Sequence, residues 1–486
     1  MTVRSRQEFF EGLCDGRRVH YKGRLINRVL DEPDIRRAAE RSAVAFDMQH
    51  DPALCQLTVD MTSGKATSAM YALPRTIEDL RRRAQLIQLS SRMGGCMMLL
   101  KEVGSDALFA LLSALDGDEL NRARAFYEHC SAGDLTIAVA QTDVKGDRSL
   151  PPNRQTDPDL YLHIVDEDSE HIVVRGAKCH TTFSAYVDEL LVLPTRAMGP
   201  DDSEYAVSFA IPIATPGLEL YVSPYLSGER NSFEHPLSSR FSILESLTVF
   251  NDVVIPRERV FLSKKPELAG PLALTFVNFH RLTAVGYKVP LADLVVGAAF
   301  LIAKANGITR ASHVRDKLAY LVRWAETIRS LAQTAANRSS LNAAGLCVPE
   351  ALTVNMAKFE FAHGYHTAIE ILRDLAGGLL VTGPGGSDWE DPDTRAVMEK
   401  YFAAAVPAED RLKIMNLITE LVARDYGGYQ SVVATHAEGS LEAEKLQLLR
   451  SYSTDNAVSL ANYFAGLGDG QFDDVSAQAE SKEVMR

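Results

Sequence analysis

The sequence predicts an α+β protein in which helices and strands are segregated along the chain. Helical periodicity dominates residues 1–140, short β-branched runs fill 141–268, and helical periodicity returns over 269–486. Alternating strands and helices would instead indicate a doubly wound parallel sheet. We therefore expect an N-terminal helical domain, a central antiparallel β domain and a C-terminal helical bundle, divided at those boundaries.

The first unit contains a helix start that its capping residues indicate. Thr76 and Asp79 have the spacing of a capping box. The apolar positions Leu80 and Ile87 follow at helical spacing. A short strand-like segment, VHYKGRLIN at 19–27, precedes this helix.

The other two units differ in the period of their apolar residues. Runs such as LYLHIV, HIVVRGA and SLTVFNDVVIP are typical of strands, and the turn at 166–170 between two of them predicts a hairpin. An apolar stripe from Leu291 to Ile302 indicates a helix. Further long helical segments around 349–377 and 408–424 predict a bundle.

Composition argues against several classes of partner. The chain has 486 residues, 46% of them hydrophobic, which is ample for more than one packed unit. A net charge of -13 with scattered Lys and Arg does not favour nucleic acid or a membrane surface as a partner. The charged N-terminal segment and the lack of an apolar run of membrane-spanning length favour a cytoplasmic location.

Metal and nucleotide motifs are missing from the sequence. The six cysteines have no Cys-x-x-Cys spacing, which argues against a disulfide framework and a structural zinc site. No G-x-G-x-x-G follows a strand, and no P-loop motif occurs. If the protein is a redox enzyme, we do not expect it to bind a nicotinamide in a Rossmann unit of its own.

The polar run TDVKGDRS at 142–149 is one candidate binding segment. It offers hydroxyl, amide and guanidinium donors that suit a pyrophosphate or the edge of a flavin ring. A solvated surface turn has the same composition. Thr181 and Thr182 end a strand-like run, where one hydroxyl could donate to a ring nitrogen, although such threonines are also common at ordinary strand ends.

Three ionisable residues are further candidates. His280 and Lys288 lie near the expected start of a helical segment, where a buried His beside an ammonium would be held neutral, as a base or hydrogen-bonding group. A helix cap or a packed core residue is the commoner role of such a His. Glu245 interrupts an apolar strand-like run, so it needs a partner if it is buried and none if it lies at an exposed edge.

The order and wording of several passages resemble the family of 4-hydroxyphenylacetate 3-monooxygenases and 4-hydroxybutyryl-CoA dehydratases. These passages are DPDLYLHIV, VVRGAKCHTT, YAVSFAIP, DVVIPRERVFL, FHRLTAVGYK and LAGGLL. The resemblance implies an acyl-CoA-dehydrogenase-like fold, FAD bound non-covalently between the β unit and the bundle, and a homotetramer. The flavin contacts that it implies are Gln141, Thr142, Lys145, Asp147, Arg148, Thr181, Thr182, Tyr426, Gly427 and Gly428.

The chain departs from the dehydratase branch, to which it is similar overall, at the ligands of that branch's iron-sulfur cluster. His280 matches the histidine ligand, but Tyr287 stands where a cysteine is expected, and Cys96 has Arg92 four residues before it and Leu100 four residues after it. Such clusters need thiolate ligands, so no iron-sulfur cluster is expected. The glutamate near the C-terminus of these relatives is also in doubt, because 428–436 contains valines where it would fall.

Three hypotheses for function follow from the resemblance. The first is a reduced-flavin monooxygenase that receives FADH2 from a separate reductase and oxidises a small or carrier-bound substrate, with His280, Lys288, Thr182 and Glu245 as catalytic residues. The second is a cluster-free lyase, isomerase or desaturase acting on an acyl-CoA. The third is a non-catalytic flavin-binding homologue.

Overall fold

The structure, a computed structural model, describes residues 3–61 and 64–467. The helices that precede and follow the central strands make up most of it. Those of the N-terminal part are α1 (Arg6–Gly12), α2 (Pro33–His50), α3 (Cys55–Thr58), α4 (Ile77–Met93), α5 (Glu102–Ala114) and α6 (Gly117–Gly133). Those of the C-terminal part are α7 (Pro266–Ala305), α8 (Ser312–Asn337), α9 (Ala351–Ala376), α10 (Leu379–Thr382), α11 (Gly386–Glu390), α12 (Pro392–Tyr401), α13 (Ala408–Val422), α14 (Asp425–His436), α15 (Leu441–Ser451) and α16 (Asp455–Ala465).

The strands form two larger sheets and two short two-stranded ones. They are β1 (Val19–Tyr21), β2 (Arg24–Ile26), β3 (Val59–Asp60), β4 (Thr67–Ser68), β5 (Ile137–Ala140), β6 (His163–Glu167), β7 (His171–Thr182), β8 (Glu189–Val192), β9 (Val207–Pro212), β10 (Leu218–Val222), β11 (Glu245–Pro256), β12 (Val260–Ser263), β13 (Ser340–Leu341) and β14 (Cys347–Val348). The six-stranded sheet has the order β2-β1-β10-β11-β7-β6, and the four-stranded sheet has the order β12-β9-β8-β5.

The two long strands β7 and β11 form the centre of the larger sheet. Side chains along β7 alternate between buried and less buried, because successive residues of a strand point to opposite faces. The antiparallel register pairs Glu245 with Thr182 and Ser246 with Thr181. The start of β11 therefore lies directly beside the end of β7.

The predicted order of helical, β and helical parts is confirmed, and so is the hairpin predicted at 166–170, which joins β6 to β7. Two details differ from the expectation of an antiparallel β domain. The β1–β10 and β5–β8 pairings are parallel, and the hairpin at 19–26 joins the central sheet although it belongs to the N-terminal part of the chain. The domain limits at 140 and 268 stay predictions, and the third predicted unit extends past residue 467, outside the described residues.

Helix α7 is the central helix of the bundle. It packs against α4, α5, α8, α9 and α13. Among the described helices it alone is long and apolar enough to cross a membrane, but 67% of its most apolar window is buried inside the protein, as expected of a core helix. It begins at Pro266, whose missing N–H costs nothing in the first turn.

The position of His280 within α7 corrects the sequence analysis. His280 and Lys288 were expected near the start of a helix, whereas α7 begins at Pro266 and continues through Pro271. Leu272 and Phe276 are buried on this first part of the helix, so tertiary packing offsets the local cost of an internal proline. His280 and Lys288 consequently lie on the middle of a buried helix.

Candidate active site

The first group of candidate residues lies where the large sheet meets the bundle. Thr182 Oγ1 donates a hydrogen bond of 2.8 Å to one oxygen of Glu245, and the Tyr429 hydroxyl donates one of 2.8 Å to the other. Thr182 ends β7, Glu245 begins β11, and Tyr429 belongs to α14. The structure thus gives Glu245 the partners that its sequence position left open.

The surroundings of Glu245 change its acidity. Burial raises its pKa to about 7, against the two hydrogen bonds, which lower it. Both partners are neutral hydroxyls, so no cation stabilises the carboxylate. A carboxyl group with this pKa can hold or release a proton near neutral pH.

A cleft of about 590 Å³ opens beside Glu245. The ends of β7, β10 and β11 and the β1–β2 turn form its walls. Its lining includes Lys22, Cys179, His180, Tyr221, Glu245 and Ser246. This volume is within the range of about 300–1,000 Å³ that is usual for ligand sites.

A second group of candidate residues is centred on Lys288. Its ammonium group forms an ion pair with Glu438, and the side chains of the two residues are only 1% and 5% exposed. The other oxygen of Glu438 accepts a hydrogen bond from the Tyr287 hydroxyl. Lys288 also lies 5.1 Å from the centroid of the Tyr287 ring and 5.5 Å from that of Phe361.

Charge and burial act against each other in this pair. Burial lowers the pKa of Lys288 to about 8, although Glu438 favours the charged form. Burial would raise the pKa of Glu438, but Lys288, followed by Lys358 and His280, lowers it to about 2. The carboxylate therefore stays ionised, while Lys288 can exchange a proton in mildly alkaline solution.

The turn that carries Glu438 has an uncommon backbone. Glu438 has a φ of 57° and Gly439 a φ of 109°, and together they connect α14 to α15. A non-glycine residue in the left-handed region is strained, and such residues cluster at functional sites. The contacts from Tyr287 and Lys288 hold Glu438 in this conformation.

His280 belongs to a third group, in which the N-terminal helices supply the other charged residues. Its Nδ1 lies 2.9 Å from Asp106 Oδ2, and Arg83 donates a hydrogen bond of 2.6 Å to the other oxygen of Asp106. The Phe276 ring stacks on the imidazole at 5.2 Å. Burial would raise the pKa of Asp106, but Arg83 and His280 lower it, so an ionised carboxylate orients the histidine.

The loop expected to contact a flavin lies next to the cleft. The Thr142 carbonyl accepts a hydrogen bond of 2.9 Å from the Cys179 amide, and Gln141 Nε2 donates one of 3.4 Å to the Pro194 carbonyl. The other three predicted contacts on this loop, Lys145, Asp147 and Arg148, are exposed.

A buried ion pair that the sequence analysis missed holds the start of this loop. Lys178 Nζ lies 2.5 Å from Asp143 Oδ1 and donates a hydrogen bond of 2.9 Å to the Gln141 carbonyl. Lys178 and Asp143 are 4% and 5% exposed. A lysine in the middle of the strand run VVRGAKCHTT gave no signal of this role, because strand alternation predicts a face but not a partner.

Three other predicted flavin contacts, Thr181, Thr182 and Tyr426, differ in how free their side chains are to bind a ligand. Thr181 is fully buried and its hydroxyl accepts a hydrogen bond from Thr248, whereas Thr182 lies beside Glu245. Tyr426 is also fully buried, and its hydroxyl donates to the Gly95 carbonyl at 2.7 Å.

The two glycines after Tyr426 face different neighbours. A Cβ on Gly427 would lie 2.2 Å from the Leu421 carbonyl oxygen, and one on Gly428 would meet only the Tyr225 hydroxyl. Gly427 therefore allows the close approach of α13 and α14. The roles of both residues in flavin binding stay predictions.

The positions that would carry cluster thiolates have other contacts. Tyr287 contacts Glu438, and Arg92 forms an ion pair of 2.7 Å with Asp293. Cys96 is buried, which raises the pKa of its thiol to about 12. Within residues 3–61 and 64–467, no group of three or more His, Cys, Asp or Glu side chains is placed to hold a metal ion.

Sequence reasoning missed three residues that complete these groups, namely Asp106, Tyr429 and Glu438. The resemblance places a glutamate within 428–436, and Glu438 lies just beyond that segment, in the turn rather than on the helix. The one signal for it in the sequence was the acidic residue before Gly439, at the end of a helical pattern.

Known proteins resemble the chain over nearly its whole length. The family profile described as 4-hydroxyphenylacetate 3-hydroxylase N terminal matches residues 5–262, and the corresponding C-terminal profile matches residues 269–466. The 4-hydroxybutyryl-CoA dehydratase/vinylacetyl-CoA-Δ-isomerase of Clostridium aminobutyricum is 31% identical, over 93% of this chain and 96% of that protein. The 4-hydroxyphenylacetate 3-monooxygenase oxygenase component of Thermus thermophilus is 29% identical, over 85% and 86%.

Solved structures agree with these sequence matches. A 4-hydroxyphenylacetate 3-monooxygenase oxygenase component complexed with FAD superposes with a TM-score of 0.90 at 28% identity, covering 95% of this chain and 98% of that one. An oxygen-tolerant archaeal 4-hydroxybutyryl-CoA dehydratase from N. maritimus superposes with a TM-score of 0.89 at 27% identity, covering 97% of both chains. The resemblance seen in the sequence is confirmed, and the chain belongs to the 4-hydroxyphenylacetate 3-hydroxylase family.

Proposed function

We propose that the protein is the oxygenase component of a flavin-dependent monooxygenase that oxidises a small or carrier-bound substrate. The observation that carries this proposal is the superposition, at a TM-score of 0.90 over 95% of the chain, on an oxygenase component complexed with FAD. The cleft at Glu245 supports it, because Glu245, Thr182 and Tyr429 bring ionisable and hydroxyl groups to one point between sheet and bundle.

The residues around the cleft suit an isoalloxazine ring, which needs hydrogen-bonding groups along one edge and apolar surface on its faces. Thr182 and Glu245 would face the polar edge, while the loop at 141–149, held by Lys178, would border the ring or the pyrophosphate. Bound FAD, once reduced, supplies the electrons that activate dioxygen. The family members complexed with FAD give this fit its support.

The second and third groups of residues would then bind the substrate. Lys288 offers an ammonium group with a pKa of about 8, and His280 offers an imidazole oriented by Asp106. We infer that these two side chains orient the substrate and hold or accept a proton at its reacting oxygen. Glu438 keeps Lys288 in place, and the buried walls exclude water from the reacting groups.

We propose further that the protein works without an iron-sulfur cluster. The donor chemistry around His280 supports this, because its partner is the carboxylate of Asp106 and the residue seven positions later is Tyr287 rather than a cysteine. A phenol and a carboxylate are poor substitutes for the soft thiolates that bind such clusters.

A second candidate function is a cluster-free lyase, isomerase or desaturase acting on an acyl-CoA. The 31% identity to the dehydratase/isomerase of Clostridium aminobutyricum favours it. Glu438 also favours it, because this buried carboxylate, paired with Lys288, lies close to the segment where the resemblance implied a glutamate. In this alternative, His280 and Glu245 would move protons at an activated carbon.

The proposal also concerns partners and location. The monooxygenase relatives are named as oxygenase components, which supports a separate flavin reductase as the source of FADH2. We infer a homotetramer in the cytoplasm, and we expect no role for nucleic acid or a membrane surface, as the acidic composition indicates.

Dioxygen dependence tests the proposal against the second candidate. The protein, supplied with FADH2 and oxygen-isotope-labelled dioxygen, is incubated with 4-hydroxyphenylacetate and with 4-nitrophenol. We expect a hydroxylated product that contains one labelled oxygen atom. In parallel, FAD-loaded protein is incubated with 4-hydroxybutyryl-CoA under argon.

The two arms give opposite results for the two candidates. Incorporation of the label by the wild type, together with its loss in the His280→Asn variant, supports the monooxygenase. The matched control is His313→Asn, at an exposed histidine. Dehydration or isomerisation of the thioester under argon, without label incorporation in air, contradicts the monooxygenase and supports the lyase.

A further inference from the structure

Arg281 is a buried cation without an anion within bonding distance among the residues that the structure describes. It is 5% exposed, and its Nε and Nη1 atoms have no hydrogen-bond partner in that part of the chain. The carboxylates that act on it electrostatically, Glu444 and Glu438, stay beyond the 4.0 Å of an ion pair. Because arginine does not lose its charge in proteins, a guanidinium in this position favours binding of an anion.

Lys358 is a second buried cation with an incomplete set of partners. It is fully buried on α9, and its ammonium group lies 3.0 Å from Glu444 of α15, which is fully buried as well. Its other contact is a long hydrogen bond of 3.5 Å to the Ala434 carbonyl. An ammonium group has three donors, so Lys358 can bind a further acceptor.

The charges of this cluster do not balance. Three cations, Arg281, Lys288 and Lys358, act on two carboxylates, Glu438 and Glu444. Burial raises the pKa of Glu444, although Lys358 nearby lowers it.

The strained turn encloses this cluster. A Cβ built on Gly439 would lie 3.4 Å from Arg281 Nη2, so the guanidinium lies against the backbone of the turn that carries Glu438. Glu438 in turn contacts Lys288. The unpaired positive charge is therefore next to the residues to which the proposed function assigns substrate binding.

We propose that Arg281 and Lys358 bind the carboxylate of an anionic substrate. The planar guanidinium can pair with both oxygens of a carboxylate, while the Lys358 ammonium adds a point charge. Glu444 competes with the ligand for Lys358. This inference rests on the proposed function. It restricts the small-molecule substrates to organic acids or their carrier-bound equivalents with a free carboxylate.

Matched carboxylate and amide probes test the inference. Thermal unfolding of FAD-loaded protein is followed with 4-hydroxyphenylacetate against 4-hydroxyphenylacetamide, and with butyrate against butyramide. We expect each carboxylate to raise the melting temperature and its amide to have little effect. Arg281→Met and Lys358→Met should each weaken carboxylate binding about tenfold or more, since each removes a charge-assisted hydrogen bond.

Arg281→Met has a second expected effect, which a purely structural role would not produce. Because it removes an unpaired buried charge, the variant without carboxylate should unfold at the same temperature as wild type or higher. Arg281→Lys keeps the positive charge but loses the planar guanidinium that can pair with both carboxylate oxygens. This variant should bind the carboxylates with intermediate affinity. Lys445→Met, on the exposed side of α15, is the matched control and should bind them as wild type does.

The outcomes separate this inference from the proposed function. Equal effects of carboxylate and amide, or wild-type carboxylate binding by both Arg281→Met and Lys358→Met, overturn the subsite. A titration with FAD on the same samples reports flavin binding independently. If FAD does not bind while the carboxylate preference persists and depends on Arg281, the subsite stands and the proposed function fails.

Discussion

Glu245 is a half-buried carboxylate beside the cleft and Glu438 has a buried side chain, and their surroundings shift their pKa values in opposite directions. Glu245 has only neutral hydroxyl partners, so burial raises its pKa to about 7. Burial acts on Glu438 in the same direction, but Lys288 outweighs it and lowers the pKa to about 2. Pairs of groups separated in this way are typical of sites that move protons.

The raised pKa of Glu245 predicts how stability depends on pH. A carboxyl group whose pKa is higher in the folded than in the unfolded state stabilises the protein at low pH, and this contribution is lost as pH rises through the folded pKa. Between pH 5 and pH 8, wild type should therefore lose about 1–3 kcal/mol in free energy of unfolding relative to Glu245→Gln. Urea denaturation at several pH values measures this difference.

An exposed glutamate provides the control for this experiment. Glu442→Gln, on the solvent side of α15, should follow the pH dependence of wild type. If Glu245→Gln and wild type keep the same difference in stability from pH 5 to pH 8, the acidity assigned to Glu245 is wrong.

The Lys288–Glu438 pair predicts a strong coupling. Glu438→Gln leaves the Lys288 ammonium buried without a counter-ion, which should cost about 3–5 kcal/mol of free energy of unfolding. The double variant Lys288→Met/Glu438→Gln should regain a large part of this loss, because the Lys288 ammonium and its counter-ion are then removed together. A double-mutant cycle by urea denaturation measures the coupling, and additive effects would contradict it.

The role of a single residue could be predicted from the sequence where local chemistry determines that role. It could not be predicted where the role depends on a partner that is distant in the sequence. Glu245 could be identified as a carboxylate in an apolar strand that needs a partner, but Tyr429, 184 positions away, could not be identified as that partner. Lys178 gave no signal for the same reason. Glu438 lies in a turn with a positive φ, which no periodic pattern marks.

At the scale of elements, capping and periodicity predicted several of the longer helices correctly. The capping box of Thr76 and Asp79 does begin α4, and the segments predicted around 349–377 and 408–424 correspond to α9 and α13. The cluster of Gly and Pro residues at 377–388 is typical of a loop, but this segment includes the one-turn helix α10 and the start of α11. Helices this short contain too few residues for a period to show.

The junction of α13 and α14 predicts different effects for two adjacent glycines. Gly427→Ala would bring a Cβ within 2.2 Å of the Leu421 carbonyl oxygen, so the two helices must separate, at a cost of about 2–4 kcal/mol of free energy of unfolding. Gly428→Ala meets only the end of the half-exposed Tyr225 side chain, which can move. Its cost should be below about 1 kcal/mol.

Thermal and urea unfolding of both variants measure the difference, and FAD titration of the Gly428→Ala variant adds a functional readout. Gly428→Ala should fold normally, so any loss of FAD affinity in it reports contact with the cofactor rather than misfolding. Equal stability of the two variants would contradict the close approach at Gly427.

At the scale of the whole molecule, the candidate site exists only after all three parts of the chain have packed together. The N-terminal helices supply Asp106, the sheet supplies Glu245, and the bundle supplies His280 and Lys288. Asp106 and His280 are 174 positions apart in sequence, yet their side chains lie within 2.9 Å. The order of the three parts was predictable from periodicity, whereas these contacts depend on tertiary packing that no local pattern encodes.

The proposed activity requires a flavin that binds between sheet and bundle without a metal cluster. A titration of purified protein with FAD, followed by flavin fluorescence, tests it most directly. We predict saturable binding of one FAD per chain that is weakened at least about tenfold in Thr182→Val, which removes the hydroxyl that donates to Glu245 beside the cleft. Flavin fluorescence that stays unchanged at every protein concentration would contradict the account.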